Sequence, residues 1–550
     1  MPESSRGNSQ AFTQPHGIFP VFSGGRLFLS GNEAVALAAH HAGFLLGSGY
    51  PGTPSTEILE TFSALGSYAR WAPNEKVALE VAAGAAFAGA RSIATMKHVG
   101  LNVAADPLFT LAYTGVRGAL IVVSADDPGM ASSQNEQDNR RYAVAAGIPM
   151  LEPSDSQEAY DYTLKAVEVS ERWQIPVLLR MTTRVCHSKT VVHPSGPTSL
   201  GPQVTFVRDI KGRVMIPSNA RPAHRRLRAK LTEIATWNEN SGPVLHIEGL
   251  NNLGIVTSGV SFAHVREAVP EASILKIGMT YPLPLEKIRR FALDVNRCVV
   301  IEEGDPYLAD ALRAANIPVE DKPEAFRFGE LNVGRVRRIL GPEEAAEPEP
   351  MPSTPPSLCK GCPYRIVFQT LSDLDCIVAG DIGCYSLGAL PPFEAMDTLV
   401  AMGAAIGVGL GLRQVLPREQ ARRVVSVIGD STFVHSGIPG LVEMVYNPPP
   451  TGHVVLILDN GTTAMTGFQE HPGTGRTLEH RRTNKLVIED LARCLGIADT
   501  YVLDPDADPS GFRERLRNCL DSDRLCVIIS RRDCLLATRK IKQYDKCDAN

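Results

Sequence analysis

The sequence predicts a multidomain α/β protein in which each domain is built on a mainly parallel sheet. The first observation is length, because 550 residues are enough for roughly three to four domains. The second is an alternation of apolar, strand-like runs with helix-like segments along the chain. The third is a pair of apolar runs, Val424 to Ile428 and Val454 to Leu458, each of which ends in a short polar loop. Together these features predict buried parallel strands that are joined by helices.

Composition and charge exclude several classes of protein. With 44% hydrophobic and 21% charged residues, the chain is typical of a soluble globular protein. The formal net charge of -5 gives no support for a nucleic-acid partner. No run of about eighteen apolar residues is present, and the N-terminus lacks a basic-then-apolar signal. We therefore expect a cytoplasmic protein with no membrane segment, in which residues 1–25 are disordered and most of the eleven cysteines are reduced.

Residues 26–200 are predicted to form the first domain. Ser30 is a plausible cap for an alanine-rich helix, which leads into the rigid turn GYPGTPS at residues 49–55. The next helix, VALEVAAGAAFAGA at 77–90, contains one acid, Glu80. A lone glutamate near a helix start is usually solvated or interacts with the helix dipole. Because its neighbours are apolar and small, we instead expect Glu80 to be buried and to need a partner.

The polar run ADDPGMASSQNEQDNRR follows a predicted strand at 119–124. It is either a solvated loop or the lip of a site, and both interpretations remain open. Residues 201–243 are predicted to be a connector, and its basic run RPAHRRLRAKL is most simply a solvated helix face. Residues 244–342 are predicted to form a second, smaller α/β domain. In that domain Glu302 and Glu303 end a strand, where packing is a simpler explanation than catalysis. The proline-rich, acidic segment 343–357 is a linker to the last domain, 358–550.

The two polar loops of the last domain predict a site for a divalent ion and a diphosphate. Gly429, Asp430 and Ser431 follow one strand, and Asn460 and Thr462 follow the next, 30 residues beyond Asp430. Parallel strands present such loops at the carboxyl edge of the sheet, where ligands bind. A carboxylate, an amide oxygen and a backbone carbonyl suit Mg²⁺ together with phosphate oxygens. The pattern resembles a thiamine diphosphate signature, although an ordinary strand-end turn would explain its first loop alone.

Cysteines in the last domain form a second candidate site. Cys359 and Cys362 stand in LCKGCP, Cys384 follows a strand-like segment in GDIGC, and Cys534 follows another strand in RRDC. Two cysteines with two residues between them bind zinc, exchange disulfides or hold an iron–sulfur cluster. Zinc is the commonest of these for a single pair. The positions of these four cysteines allow four thiolates to converge on one sheet edge.

The order of the motifs resembles the large subunit of indolepyruvate ferredoxin oxidoreductase, within the 2-oxoacid:ferredoxin oxidoreductases. The matching motifs are GYPGTPSTE, VALEVAAGAAFAGA, ADDPGMASSQNEQDNRR, LCKGCP, GDIGC, GDS and DNGTTAMTG. They cover nearly the whole chain. The resemblance implies two domains of the thiamine diphosphate-binding fold, the pyrimidine-binding domain 26–200 and the diphosphate-binding domain 358–550. A transketolase-C-like α/β domain, 244–342, would lie between them.

The resemblance also implies roles for individual residues. Glu80 would hydrogen-bond the aminopyrimidine ring of thiamine diphosphate, which promotes removal of the thiazolium proton. Thr53 would lie near substrate and cofactor, and Gly429 and Ser431 would belong to the cofactor loop. The implied magnesium ligands are Asp430, Asn460 and the carbonyl of Thr462. The implied ligands of a single 4Fe-4S cluster are Cys359, Cys362, Cys384 and Cys534.

The implied activity is oxidative decarboxylation of 2-oxo acids, aryl pyruvates such as indolepyruvate among them. Coenzyme A would be the co-substrate, and electrons would pass through the cluster to ferredoxin or another carrier. We also expect a small second (beta) subunit, in a hetero-oligomer that contains two copies of this chain. The alternative is a non-oxidative thiamine diphosphate-dependent decarboxylase in which the four cysteines are ordinary core thiols. Large subunits of the family commonly continue into a ferredoxin-like domain, whereas this chain stops just after Cys547, so we expect the electron exit on another chain or a missing part.

Overall fold

The computed structural model describes residues 25–198, 201, 203–341 and 356–547. The segments predicted as a disordered N-terminus (1–25) and a proline-rich linker (343–357) therefore lie almost wholly outside the described residues. Within these residues four sheets carry the fold, and three of them are mainly parallel with helices between most successive strands. The predicted α/β class is confirmed. Among the described helices, none is long and apolar enough to cross a membrane.

The first unit contains most of a seven-stranded sheet and a small antiparallel pair, β1 with β8. Its strands are β1 Leu27–Ser30, β2 Leu46–Gly49, β3 Ala69–Trp71, β4 Ser92–Lys97, β5 Leu120–Asp126, β6 Met150–Leu151, β7 Val177–Thr182 and β8 Lys189–Val192. Its helices are α1 Gly31–His41, α2 Thr56–Ala64, α3 Glu75–Phe87, α4 His98–Val103, α5 Ala105–Thr114, α6 Arg140–Ala146, α7 Ser156–Trp173, α8 Thr183–His187, α9 Ile210–Arg213 and α10 Pro217–Ser241. Every residue of β5 is buried, as expected for a central parallel strand.

Local sequence explains where the helices of this unit begin. Ser30 and Glu33 form a capping box at the start of α1, as the sequence predicts for Ser30. The Asn74 side chain accepts a hydrogen bond from the amide of Val77, so α3 starts at Glu75, two residues before the predicted start. The basic connector forms the 25-residue helix α10, which buries one apolar face and exposes its arginines.

The second unit is a four-stranded sheet in the order β13-β10-β11-β9. Its strands are β9 Val244–Ile247, β10 Leu250–Thr257, β11 Ala272–Ile277, β12 Met279–Tyr281 and β13 Cys298–Ile301. Its helices are α11 Ser261–Ala268, α12 Leu285–Leu293, α13 Tyr307–Ala314 and α14 Val333–Leu340. The remaining strand, β12, leaves this sheet and pairs antiparallel with β6, so it extends the sheet of the first unit.

Buried charges also join the first two units. Arg140 of α6 is 1% exposed and forms an ion pair with Glu302, whose side chain is fully buried. Arg140 pairs with Asp138 as well, and its guanidinium donates to the carbonyl of Glu303 at 2.9 Å. Glu302 additionally accepts hydrogen bonds from the amides of Leu308 and Ala309 at the start of α13. Glu302 therefore has a packing role, as expected for an acid at the end of a strand in this unit.

The third unit is a six-stranded, all-parallel sheet in the order β15-β14-β16-β17-β19-β18. Its strands are β14 Ile377–Gly380, β15 Thr398–Leu399, β16 Val424–Gly429, β17 His453–Asp459, β18 Asp499–Leu503 and β19 Leu525–Arg531. Its helices are α15 Tyr364–Asp373, α16 Ala404–Val415, α17 Arg418–Ala421, α18 Asp430–Thr432, α19 Ile438–Tyr446, α20 Ile488–Cys494, α21 Pro509–Asp521 and α22 Thr538–Cys547. Because β16 and β17 are adjacent, the loops that follow them meet at one edge, as predicted.

Candidate active site

The two polar loops form one hydrogen-bonded structure. Asp430 follows β16 and is 3% exposed, and its carboxylate accepts hydrogen bonds from the amides of Ser431 at 2.8 Å and Gly461 at 3.0 Å. Asn460 follows β17, and its amide oxygen accepts from the amide of Thr462 at 3.0 Å. The first loop is thus tied to the second through the carboxylate that the sequence singled out. The oxygen donors predicted for a divalent ion lie together.

His471, which the sequence analysis missed, also contacts this carboxylate. Its Nε2 lies 3.3 Å from the Asp430 carboxylate, and both side chains are buried. Burial alone would raise the pKa of Asp430, but the charge of His471 and the surrounding hydrogen bonds hold it below its usual range. Asp459 lies beside it, and burial together with the charge of Asp430 raises the pKa of Asp459. The site therefore keeps Asp430 ionised, as a hard cation requires.

A cleft of about 540 Å³ lies above these loops. Asp430, Asn460 and Thr462 line it on one side, and Tyr50 and Pro51 of the first unit line it on the other. The residues of the third unit that also line it include Gly429, Ser431, Thr463, Tyr364, Tyr385 and Cys384. The Tyr50 hydroxyl lies 2.8 Å from the Ser431 hydroxyl, which joins the two units across the cleft. The cleft is therefore built between the first and third units.

Gly429 has a steric reason to be glycine. A Cβ at this position would lie 2.7 Å from the ring of Tyr385, closer than real contacts allow. The ring is buried, and its hydroxyl donates to the carbonyl of Ile382 at 3.0 Å. A larger residue at 429 would displace this ring from the wall of the cleft.

The expectation that Glu80 is buried is wrong. Its side chain is 44% exposed and forms an ion pair with Lys76 one turn earlier on α3. The face of α3 that packs on the core lies away from Glu80. It follows the helical period and consists of Ala78, Leu79, Ala82, Ala83 and Ala86. Small residues occur all around this helix, so the sequence did not reveal which face is buried.

The buried acid of α3 is Glu75, at the first position of the helix. It is 4% exposed, and its carboxylate lies 2.7 Å from Nε2 of His435 in the third unit. Asn74 donates to the backbone carbonyl of His435 at 3.0 Å, and the ring of Tyr50 packs on the imidazole with centroids 4.7 Å apart. His435 lies in a π-helical turn, Phe433–Gly437, directly after Asp430–Thr432. Neither Glu75 nor His435 is among the described residues that line the cleft, but His435 packs on Tyr50, which does line it.

Thr53 lies in the turn that follows β2, close to Tyr50 and Pro51. It is half-buried, and it is not one of the described residues that line the cleft. The structure places Thr53 at the same sheet edge as Tyr50 and Pro51, and its contact with substrate stays a prediction.

The four predicted cysteines line one cavity. Cys359, Cys362, Cys384 and Cys534 surround a space of about 610 Å³, together with apolar residues such as Leu358, Leu387, Phe468, Leu535 and Leu536. All four are free thiols. Burial raises the pKa of Cys362 to about 11, and the negative charge of the other three cysteines adds to this effect. A positively charged group in the cavity would be needed to keep four thiolates there.

The cysteine cavity adjoins the cofactor cleft. Tyr364, Cys384, Asn460 and Ala464 line both spaces. The backbone amide of Cys534 donates a hydrogen bond to the backbone carbonyl of Asn460 at 3.0 Å. A predicted cluster ligand and a predicted magnesium ligand are therefore joined through their backbones. Within the described part of the chain, no group of three or more His, Cys, Asp or Glu is arranged to hold a single metal ion.

Comparison with known proteins gives the family. Residues 38–201 match the family model described as pyruvate flavodoxin/ferredoxin oxidoreductase, thiamine diP-binding. Residues 381–530 match the model of the thiamine pyrophosphate enzyme, C-terminal TPP binding domain. The chain is 39% identical to the indolepyruvate oxidoreductase subunit IorA of Methanothermobacter marburgensis, over 96% of this chain and 91% of that protein. The chain belongs to the IorA family. Its identity with IorA of Archaeoglobus fulgidus is also 39%, over 95% of this chain and 88% of that protein.

Membership of the IorA family confirms the predicted resemblance, and the two matched regions are the first and third units that form the cleft. Among solved structures, a 2-oxoglutarate:ferredoxin oxidoreductase from Magnetococcus marinus is similar at 18% identity and a TM-score of 0.48. That similarity covers 57% of this chain and 65% of the other.

Proposed function

We propose that this IorA-family chain is the catalytic large subunit of a thiamine diphosphate-dependent 2-oxo acid oxidoreductase. It would convert aryl pyruvates such as indolepyruvate, with coenzyme A, to acyl-CoA and carbon dioxide, and pass the electrons to ferredoxin. The observation that carries the proposal is the backbone hydrogen bond between Cys534 and Asn460, because it joins the wall of the four-cysteine cavity to the wall of the cofactor cleft. The non-oxidative decarboxylase is not favoured, since the full-length relatives are named oxidoreductases.

The residues of the cleft fit thiamine diphosphate and Mg²⁺. Asp430, Asn460 and the Thr462 carbonyl would hold the ion, which would in turn bind the diphosphate. Support comes from the buried, ionised carboxylate of Asp430 and from the space above it. When bound, the cofactor supplies a carbanion that adds to the 2-oxo group and accepts the electrons left after loss of carbon dioxide. The walls of the cleft include the buried rings of Tyr364 and Tyr385, which would limit the access of water to the bound cofactor.

Glu75, rather than Glu80, is our candidate for the acid that holds a proton on the pyrimidine ring. It is buried, its partner is one imidazole, and it lies on the side of the cleft that the first unit provides. A buried carboxylate that bonds to a heteroaromatic nitrogen stabilises the tautomer in which that nitrogen is protonated. In this proposal His435, which lies 2.7 Å from the Glu75 carboxylate, would orient this proton, and Asn74 donates a hydrogen bond to the backbone carbonyl of His435.

The cysteine cavity fits one 4Fe-4S cluster held by Cys359, Cys362, Cys384 and Cys534. The cluster is cationic apart from its ligands and would lower the thiol pKa values that burial raises. The apolar lining would limit solvent access, which is one of the factors that set cluster potentials. Electrons would leave the cleft through the Asn460–Cys534 wall.

The same proposal includes partners and compartment. We infer a cytoplasmic hetero-oligomer in which two copies of this chain associate with a small beta subunit. Residues of the first and the third unit of this chain both line the cofactor cleft. Ferredoxin or a similar carrier would accept the electrons.

The proposal is tested by analysis of the complex purified without oxygen. Thiamine content, magnesium, iron and acid-labile sulfide would be measured per chain. We expect one thiamine diphosphate and about four irons with about four sulfides for each copy of this chain. A single Cys534→Ala change should lower iron and sulfide but not thiamine diphosphate. Full activity in an iron-free preparation would contradict the oxidoreductase and favour the decarboxylase.

A further inference from the structure

Lys97, the last residue of β4, is a half-buried cation whose hydrogen-bond partners in the described part of the chain are neutral. Its ammonium group donates to the carbonyl oxygen of Ser132 at 2.7 Å and lies 3.4 Å from the Ser132 hydroxyl. In the part of the chain that the structure describes, no carboxylate forms an ion pair with it. Burial lowers the pKa of Lys97, and the negative charge of Asp127 partly offsets this effect. An ammonium group has three donors, so at least one remains for a ligand.

Asp127 is near Lys97 but is committed to other groups. Its carboxylate accepts hydrogen bonds from the amide of Ser132 at 2.9 Å, from the Ser133 hydroxyl at 2.5 Å and from the Thr183 hydroxyl at 2.9 Å. These contacts fold the first half of the polar run 125–141 and hold the Ser132 carbonyl toward Lys97. The polar run, for which the sequence left two interpretations open, is thereby fixed beside Lys97.

The sheet register places Lys97 beside the turn that lines one side of the cofactor cleft, and Lys97 itself is not among the described residues that line it. Thr95 of β4 pairs with Gly49 of β2, so Lys97 lies two residues beyond this pair, level with the turn that follows β2. In that turn a Cβ at Gly52 would lie 3.0 Å from the Cβ of Lys97, so glycine allows the lysine stem to pack against the turn. The neighbouring residues Tyr50 and Pro51 line the cleft. The ammonium group therefore stands between the 50–53 turn and the polar run.

The residues after Lys97 reach the proposed proton-holding acid. A Cβ at Gly100 would lie 2.5 Å from Cγ of Glu75, so the start of α4 packs directly on this side chain. The short segment 97–100 thus contacts the turn beside the cleft at one end and Glu75 at the other. A group bound to Lys97 would lie at the mouth of the cleft, on the side where the first unit provides the acid.

We propose that Lys97 binds the carboxylate of the 2-oxo acid substrate at this mouth. The inference rests on the proposed function and adds the residue that recognises the acid. A 2-oxo acid enters as an anion, and desolvation of that anion is costly unless a cation compensates it. Lys97 is already partly desolvated and is held by a neutral carbonyl, so binding breaks no ion pair. The departing carbon dioxide is neutral and would not be retained by the lysine.

The test compares Lys97→Gln and Lys97→Arg in the complete complex. Removal of the charge should raise KM for phenylpyruvate by about 10- to 100-fold, because the loss of one hydrogen bond to a charged group weakens binding by about this factor. The arginine variant should recover most of the loss. Thiamine diphosphate content and KM for coenzyme A should stay unchanged in both. Lys165→Gln is the matched control, since Lys165 is an exposed lysine of the same unit that pairs with Glu168.

A binding measurement separates this inference from the proposed function. Phenyllactate and its amide, neither of which can be decarboxylated, would be titrated into the thiamine diphosphate-loaded complex. The wild type should bind the acid at least tenfold more tightly than the amide, and Lys97→Gln should remove the difference. Equal binding of acid and amide by the wild type would overturn the role of Lys97, whether or not the complex turns over 2-oxo acids.

Coenzyme A is the other anionic reactant. If Lys97→Gln raised KM for coenzyme A and left KM for phenylpyruvate unchanged, Lys97 would bind a phosphate and the carboxylate proposal would be wrong. A loss of thiamine diphosphate in both variants would instead indicate a structural role and would equally overturn it.

Discussion

Replacement of Glu75 by glutamine is the most informative single change in the cleft. The carboxylate is buried, and its principal partner across the interface is Nε2 of His435 at 2.7 Å. Glutamine has nearly the same volume, so it would fill the same space beside Gly100. Its amide oxygen would still accept a hydrogen bond from His435. The change therefore removes the negative charge and leaves the packing between the first and third units in place.

The size of the effect follows from the role that is removed. A positioned acid or base contributes about 10²- to 10⁴-fold to a reaction. This corresponds to about 3 to 5 kcal/mol of transition-state free energy. The diphosphate loops do not contain Glu75, so the content of thiamine diphosphate should change little. We expect kcat to fall by two to four orders of magnitude, as estimated from the same principle, while cofactor content stays near one per chain.

Glu80→Gln is the matched control on the same helix. Glu80 is 44% exposed and pairs only with Lys76 among the described residues, and exposed pairs of this spacing stabilise by about 0.3–0.5 kcal/mol. Its replacement should leave kcat within about twofold. Turnover would be followed by acyl-CoA formation, and cofactor content by thiamine analysis of the washed protein. Wild-type turnover in Glu75→Gln combined with a large loss in Glu80→Gln would refute the reasoning and restore Glu80.

Three further changes test other parts of the molecule. Asp430→Ala should weaken retention of thiamine diphosphate by at least tenfold in magnesium buffer, because it removes the only carboxylate among the proposed ion ligands; unchanged affinity in an equilibrium titration would contradict this. Cys384→Ser should lower iron content and abolish reduction of the electron carrier, whereas Cys519→Ser, a buried thiol away from the cavity, should not; equal iron in both would argue against the cluster. Burial raises the pKa of Glu303 to about 7, so this carboxyl is protonated in the folded protein at pH values where the unfolded chain ionises it, and stability should fall as the pH rises from about 4.5 to 7. Glu303→Gln should remove up to about 3 kcal/mol of this decrease in the free energy of unfolding. If the free energy of unfolding changed with pH equally in the two proteins between about pH 5 and 8, the assignment would be contradicted.

The cradle for the diphosphate could be predicted because its signal is local. The runs at 424–428 and 454–458 are continuously apolar and end in Asp430 and Asn460, and buried parallel strands must present such loops at one edge. The helix between these two strands, α19, spans Ile438–Tyr446, as expected for parallel strands joined by a helix. The four cysteines could be predicted in the same way, since each follows a strand or precedes a helix at that edge.

The acid of the first unit could not be predicted because its signal is not local. Alanine and glycine cover every face of α3, and exposure of such small side chains costs little, so periodicity does not show which face is buried. The helix also begins two residues before its predicted start, at Glu75. The contact that distinguishes Glu75, with His435, joins residues 360 positions apart in different units. Sequence reasoning had no means to find that pairing.

The contact between Tyr50 and Ser431 is likewise a tertiary property. The sequence predicts a rigid turn at 49–55 and a polar loop at 429–431, but not that a tyrosine from the turn closes the cleft over the loop. His471 beside Asp430 has the same origin, since one histidine among polar loop residues carries no distinguishing pattern.

The central claim is that electrons from the decarboxylated substrate enter the cysteine cavity rather than remaining in the cleft. It is tested most directly by mixing the oxygen-free complex with phenylpyruvate and coenzyme A while the visible absorbance and the products are recorded together. We predict that the absorbance bleaches and that phenylacetyl-CoA forms with no free aldehyde. Release of phenylacetaldehyde without bleaching would contradict the claim.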